Sequence, residues 1–484
     1  MSVRLIVVGS VRQDYRIGKM NRIVVVGGGI TGLAAANRVR EIDPSVKVTL
    51  LEASDRLGGT IQTNHRDGFV LERGPDSFIS EKPEALALAK RLGLESQIIQ
   101  TNEAYRRSFI VRDGRLRAVP EGFQLLAPSR MWPFITSDIF TLAGKARMAA
   151  DLFLPRKNTN GVNDESLASF VRRRLGEEAL ARMAQPMVGG IYTADPETLS
   201  LRATLPRFLD MEQKHRSLIL AMLRQGRVQK LGTSGARYSL FLSFDRGMQV
   251  LVDALTRMNA DVVLNTRAQR LTYDQGWTVI TDKGEQLKAD AVCLAVPAFI
   301  AASLVSDIDT RLADKLRAIK YASTATINFG YRRTAIKHPL NGFGFVVPII
   351  EKRSLIACTF SSVKFAGRAP EDHVLLRAFA GGALQPEVFA LDEATMATRV
   401  ESDLRELLTI REDPRFIEVA KWERSMPQYE VGHLDRVDEI ERLVKELPGL
   451  ALAGNSYRGA GIPDCIRSGE AAAEALSTDY ADSV

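Results

Sequence analysis

One short segment restricts this chain more than any other. Arg22–Val26, RIVVV, is an apolar run of β character that stops at Gly27-Gly28-Gly29-Ile30-Thr31-Gly32, and Leu33–Arg40 then has helical character. Gly27, Gly29 and Gly32 spell G-x-G-x-x-G. The first glycine permits a tight turn, the second lets main chain approach a pyrophosphate, and the third lets helix and strand pack closely. A diphosphate then rests on free N–H groups at the positive end of the helix. Val46–Leu51 reads as a second strand, and Glu52 at its end can accept hydrogen bonds from an adenosine ribose. A glycine-rich structural turn is the competing reading. The strand before, the helix after and the acid beyond favour a dinucleotide site.

The continuation separates FAD from NAD. Glu52 is followed by Ala53-Ser54-Asp55-Arg56-Leu57-Gly58-Gly59-Thr60. Arg56 sets a fixed cation beside the diphosphate, and Gly58 and Gly59 keep the chain thin where a cofactor passes. E-x-x-x-R-x-G-G after a glycine finger resembles the amine oxidase-like flavoproteins, which include monoamine oxidases, phytoene desaturases and protoporphyrinogen oxidases. Leu71-Glu72-Arg73-Gly74-Pro75-Asp76-Ser77-Phe78 and the closing run Gly454–Ile466, GNSYRGAGIPDCI, look like the bacterial oxygen-dependent porphyrinogen oxidases of haem synthesis. The resemblance extends from about Asn21 to Leu476.

That resemblance implies roles at matching positions. Thr60 and Gly74, Pro75, Asp76 and Ser77 line the flavin. Ala268 offers main chain to adenine, Trp422 borders the cofactor, and Gly454 belongs to the last glycine turn. Ile462, Pro463 and Asp464 open the final helix, whose N–H groups point at the flavin pyrimidine. Relatives often carry an acid where this chain has Asn455. Cys465 belongs to the helix motif and reads as small buried filler, so FAD is expected to be noncovalent. The chemistry is hydride removal onto the flavin, three times over, with molecular oxygen as the final acceptor and hydrogen peroxide released. No catalytic side chain is required, since the cofactor carries the hard step. The tetrapyrrole's propionates call for cations, with Lys82 and Arg107 as candidates; solvated surface charges are the alternative for both. Coproporphyrinogen III and protoporphyrinogen IX stay open as substrates; a phytoene desaturase-type or amine oxidase flavoenzyme is the alternative function, and a non-enzymatic FAD-binding subunit is the least favoured.

The expected fold class is α/β: a Rossmann-like FAD-binding domain built from discontinuous segments, with an α+β substrate domain and a helical insert. The segments are 20–85, 238–300 and 420–484 for FAD, 86–126 and 301–419 for substrate, and 127–237 for the insert. Helices are expected at Glu84–Leu94, Leu142–Phe153, Ser166–Arg174, Glu177–Met183 and Arg216–Arg224. A hairpin is expected around Asp113-Gly114, and a strand at Tyr238–Ser243.

Composition narrows the function classes. Cys293, Cys358 and Cys465 are scattered and five histidines show no ligand spacing, so no metal site is expected. A net charge of +7 is mild for 484 residues and shows no basic stripe, so no nucleic acid is expected as partner. No apolar run reaches the roughly 18 residues of a span. The expected location is cytoplasmic. Peripheral contact with the inner face of the plasma membrane stays open through Met131–Phe140, where Trp132, Phe134, Ile135 and Phe140 offer an apolar edge beside Arg130; a roof over the substrate cavity and a buried helix seam are the competing readings of that segment. A homodimer also stays open. Leu5–Ser10 echoes the first strand without the glycine triad, and a leader before Met20 competes with an extra edge strand.

Overall fold

The computed structural model describes residues 21–157, 164–228, 240–257 and 260–478. Residues 1–20, and with them the leader or edge-strand question, lie outside the described residues, as do the first two positions of the strand expected at 238–243.

A five-stranded parallel sheet carries the glycine finger. Its order is Asp261–Val263, Lys47–Leu51, Arg22–Val26, Ala291–Leu294, Leu450–Leu452. The chain reverses its winding direction at Arg22–Val26, so the crevice of this doubly wound sheet opens at that strand's carboxyl end, where Gly27 begins. The strand is apolar throughout because both of its faces are covered. Ile23 and Val25 join the cluster under helices Ile30–Ile42 and Ile462–Thr478, while Val24 and Val26 face the cluster that includes Ala298 and Leu312. The two helices lie close: a side chain at Gly469 would meet the Thr31 carbonyl at 2.2 Å.

A seven-stranded sheet forms the second layer system. Its order is Phe416–Pro427, Tyr321–Arg332, His373–Gly381, Ala357–Phe360, Gly344–Val346, Ser108–Arg112, Arg115–Ala118. All neighbours are antiparallel except Gly344–Val346 against Ser108–Arg112. The hairpin at Asp113-Gly114 is present, with φ of 51° and 69° at its two corner residues, the conformation Asp-Gly favours in a two-residue turn. One boundary differs from expectation. Position 420 falls inside Phe416–Pro427, an edge strand of this sheet. The β-period carries straight through it, so Trp422 belongs to the antiparallel sheet.

The insert is helical but less regular than its periodicity suggests. Leu142–Ala149 gives way to a tighter turn at Ala150–Leu152, and Leu180–Ala184 is a π-turn running into Gln185–Tyr192. The last of the expected helices begins at Leu218, because Arg216 takes φ 63° and breaks the preceding helix. Insert and sheet are joined by Arg182 to Glu351 at 3.3 Å and by the Ile349 N–H to Gln185 Oε1 at 2.9 Å. The apolar edge expected at Met131–Phe140 is corrected here. Phe134 and Phe140 are buried and cluster with Phe123, leaving Trp132 (74% exposed) and Ile135 (52%) outside, joined by Leu142 (84%) and Phe153 (81%). A six-residue helix has an inward face, and Phe134 sits on it. Among the described residues, no helix is long and apolar enough to cross a membrane.

Candidate flavin site

The finger is held by contacts that leave one side of it open. Gly27 has φ 109°, and a Cβ there would strike the Ala295 carbonyl at 2.4 Å. At Gly32 a Cβ would lie 1.9 Å from the Gly27 carbonyl. Gly29 differs. Its backbone is extended (φ −71°, ψ 175°), and a Cβ would find nothing nearer than Gly59 Cα at 3.9 Å. Protein packing therefore tolerates a side chain at 29. Gly29 also opens helix Ile30–Ile42 with no side-chain cap and no acid in the first turn, so its free N–H groups suit an anionic ligand. These features fit a diphosphate.

Glu52 meets the finger directly. Its Oε2 accepts from Gly28 N at 2.7 Å, and its Oε1 accepts from Ser54 N and Oγ, each at 2.8 Å. Ala53 is exposed beside it. The Glu52 carbonyl accepts from Thr266 N at 2.9 Å, which brings the turn before buried Ala268 against the same edge. Gly58 N donates to Gly28 O at 2.8 Å and lays the second glycine pair along the first. Arg56 folds back on this loop. Its guanidinium donates to the carbonyls of Leu57, Gly59 and Ile61, so it shapes the loop from within. Burial and the nearby Arg73 guanidinium lower its pKa.

Thr60 and Gly74 are in tight register: a Cβ at Gly74 would sit 1.7 Å from the Thr60 carbonyl. From there Pro75, Asp76 and Ser77 turn over a charged cluster. Asp76 is bound by Lys364 Nζ at 3.0 and 3.2 Å, by Ser77 Oγ at 2.7 Å, and by Arg377 at 3.4 Å. Burial alone would raise the Asp76 carboxyl, but the two cations hold it well below the usual carboxylate range. Trp422 Nε1 donates to the Arg73 carbonyl at 2.8 Å, one residue before Gly74.

The closing turn arrives opposite. A Cβ at Gly454, φ 133°, would meet nothing within 4 Å, and Gly454 N is fixed to Ser468 Oγ at 3.0 Å. Asn455 Nδ2 donates to the Ser425 carbonyl at 3.3 Å, and its own carbonyl accepts from the Tyr429 hydroxyl. Ile462, Pro463 and Asp464 are buried. Asp464 accepts from Lys82 at 2.6 and 2.8 Å and from Arg467 at 2.6 Å, which ties Lys82 to the helix start. Cys465 is buried in the nucleotide-domain core, its thiol pushed up to about 12 by burial. Arg107 stands apart. It is exposed, its main chain bonds Tyr105 and Phe343, and its side chain makes no ion pair among the described residues. Neither Lys364 nor Arg377 was anticipated. HVLLRAFAG at 373–381 did carry a signal, since a charge inside an otherwise apolar strand must be paired when buried. Lys364 lies on a short turn with no such signal.

The sequence profile described as "Flavin containing amine oxidoreductase" matches residues 30–477. The chain belongs to this family. A flavin cofactor and oxidoreductase chemistry follow from membership. Proteins similar to this chain include the Coproporphyrinogen III oxidase of Bacillus subtilis, 36% identical, with 93% of this chain and 96% of that one covered. The Coproporphyrinogen III oxidase of Propionibacterium freudenreichii is 35% identical, covering 92% and 88%. The chloroplastic Protoporphyrinogen oxidase of Nicotiana tabacum is 29% identical, covering 92% and 83%. A crystal structure from Exiguobacterium sp. 255-15 superposes with TM-score 0.84 at 30% identity, covering 95% and 99%. Putrescine Oxidase shares the fold at TM-score 0.64 and 16% identity.

Proposed function

We propose that this chain oxidises a porphyrinogen, coproporphyrinogen III before protoporphyrinogen IX, to the porphyrin in haem biosynthesis, with noncovalent FAD and molecular oxygen. The observation that carries the reading is near full-length likeness to chains named Coproporphyrinogen III oxidase, at 36% and 35% identity. Bound FAD supplies the hydride acceptor. The protein's part is to bind and orient. Gly27–Gly32 would take the diphosphate, Glu52 the ribose, Ala268 the adenine edge, and Thr60, Gly74–Ser77 and Trp422 the ring system. The start of helix Ile462–Thr478 would face the pyrimidine. Buried Cys465 supports noncovalent attachment. Each of three rounds removes a hydride and a proton from substrate and returns two electrons to oxygen, so one porphyrinogen and three O2 give one porphyrin and three H2O2.

Lys82 and Arg107 remain the cations proposed for propionates, Lys82 sharing its charge with Asp464. A cytoplasmic location, with contact on the inner face of the plasma membrane through Trp132, Ile135, Leu142 and Phe153, belongs to the same reading. Aerobic turnover with each porphyrinogen, followed by porphyrin fluorescence and peroxide release, tests it. Both products should form, faster with coproporphyrinogen III. A yellow protein that oxidises neither substrate would redirect the reading to another amine or carbon–carbon oxidation on the same fold.

A further inference from the structure

The charged cluster beneath Gly74–Ser77 is larger than holding a turn requires. Asp76 alone faces two cations, Lys364 and Arg377. Arg377 is 3% exposed, lies over the Phe379 ring at 4.7 Å, and gives one guanidinium nitrogen to the Gly74 carbonyl. Its Nε is buried without a partner among the described residues. The neighbouring pair is Glu72 and Arg368. Glu72 is bound to Met248 N at 2.7 Å and Thr63 Oγ1 at 2.8 Å, and Arg368 to Ser243 Oγ at 2.9 Å and the Phe244 carbonyl at 2.7 Å. Around Asp76 the cations outnumber the carboxylate, a local surplus of one positive charge: buried Arg377 and the part-buried Lys364 (side chain 12% exposed) face Asp76 alone, while buried Arg368 faces buried Glu72 and the exposed Asp245. Burial raises the Glu72 carboxyl, so protonation there would only enlarge the surplus.

Neutral donors suffice to fix a turn, and buried uncompensated charge is costly. The surplus gains stability once negative charge develops nearby, as it does on a flavin ring that accepts two electrons and loses its second proton. Resting on the reading that Gly74–Ser77 lines the flavin, we propose that Lys364, Arg377 and Asp76 form a fixed net-positive group that favours the reduced, anionic state of the cofactor. These are positioning charges, acting through field and through the turn they hold.

The test is the reduction potential of the holoprotein, equilibrated with a reference dye in the absence of porphyrinogen. Lys364→Met removes one positive charge and should lower the potential; Asp76→Asn removes one negative charge and should raise it. Each shift should reach about tenfold in the reduced-to-oxidised ratio at fixed poise, about 30 mV for a two-electron couple. Lys364→Arg should restore the wild-type value. Should Asp76→Asn hold no flavin, Lys364→Gln against Lys364→Arg carries the same test, with only the first lowered. Shifts of one sign in both charge variants, or unmoved potentials with a raised KM, overturn the proposal; the latter outcome would assign the surplus charge to a substrate carboxylate. A wild-type protein without flavin fails the functional reading itself, whereas a yellow wild type with unmoved variants fails this inference alone.

Discussion

At the scale of single residues, packing demands glycine at Gly27 and Gly32 but leaves room for a Cβ at Gly29. Gly32→Ala would drive a methyl into the Gly27 carbonyl, 1.9 Å away, and should lower the melting temperature of the protein. The Cβ of a Gly29→Val variant would lie 3.9 Å from its nearest packed neighbour, Gly59 Cα, so the variant should fold and yet come off the column colourless. A melting curve and the flavin absorbance of each variant check the pair; a yellow Gly29→Val protein would contradict the diphosphate placement. Glu52→Ala should weaken FAD by about 1–3 kcal/mol, measured as the dissociation constant of reconstituted protein. His433 supplies a pH dependence. It is fully buried, stacks on Tyr429 at 4.2 Å, and burial lowers its pKa from 6.5 to about 4. The unfolded chain then takes up a proton that the folded chain refuses. Stability from neutral His433 is complete above pH 6.5 and is lost as pH falls toward 4, by roughly 3 kcal/mol. Denaturation midpoints across that window should slope less in His433→Gln, and equal slopes would remove the residue from the account. The finger and Glu52 were legible in the sequence because their spacing encodes one geometry. The Arg56 grip on its own loop was not, since a guanidinium's partners are carbonyls that every residue has.

At the scale of elements, continuous apolar runs identified the strands Arg22–Val26 and Lys47–Leu51, and the Asp-Gly corner identified the hairpin. What the sequence left hidden came from tertiary context. Trp422 sits in an edge strand of the antiparallel sheet, and a period of two says nothing of which sheet a strand joins. The Met131–Phe140 segment carried enough apolar residues for an exposed edge, but a short helix must place some of them inward, and Phe134 and Phe140 went there. Trp132, Ile135, Leu142 and Phe153 remain outward, with Lys145 bonded to the Ile135 carbonyl at 2.7 Å in the same region. Anionic vesicles should therefore bind the protein at low salt, and Trp132→Ser with Leu142→Ser should reduce the bound fraction without changing the melting temperature. Sedimentation with phosphatidylglycerol vesicles measures this. Equal binding by wild type and double variant would assign those side chains no membrane role.

At the scale of the whole molecule, two sheets divide the work. The parallel sheet presents its switch point, and the antiparallel sheet brings Trp422, Arg377 and Asn328 to the same turn at Glu72–Ser77, with Asn328 Nδ2 donating to the Glu72 carbonyl at 3.0 Å. The strip assembles from positions as distant as Gly27 and Asp464, and only closure of both termini on one sheet unites them. The most direct test of the account is an anaerobic titration of the oxidised holoprotein with coproporphyrinogen III, read simultaneously for flavin bleaching and porphyrin absorbance. Hydride transfer in three rounds predicts three flavins bleached per porphyrin formed. A flavin that stays oxidised in excess porphyrinogen, or bleaching with no porphyrin appearing while oxidised holoprotein is in more than threefold excess over porphyrinogen, would contradict it.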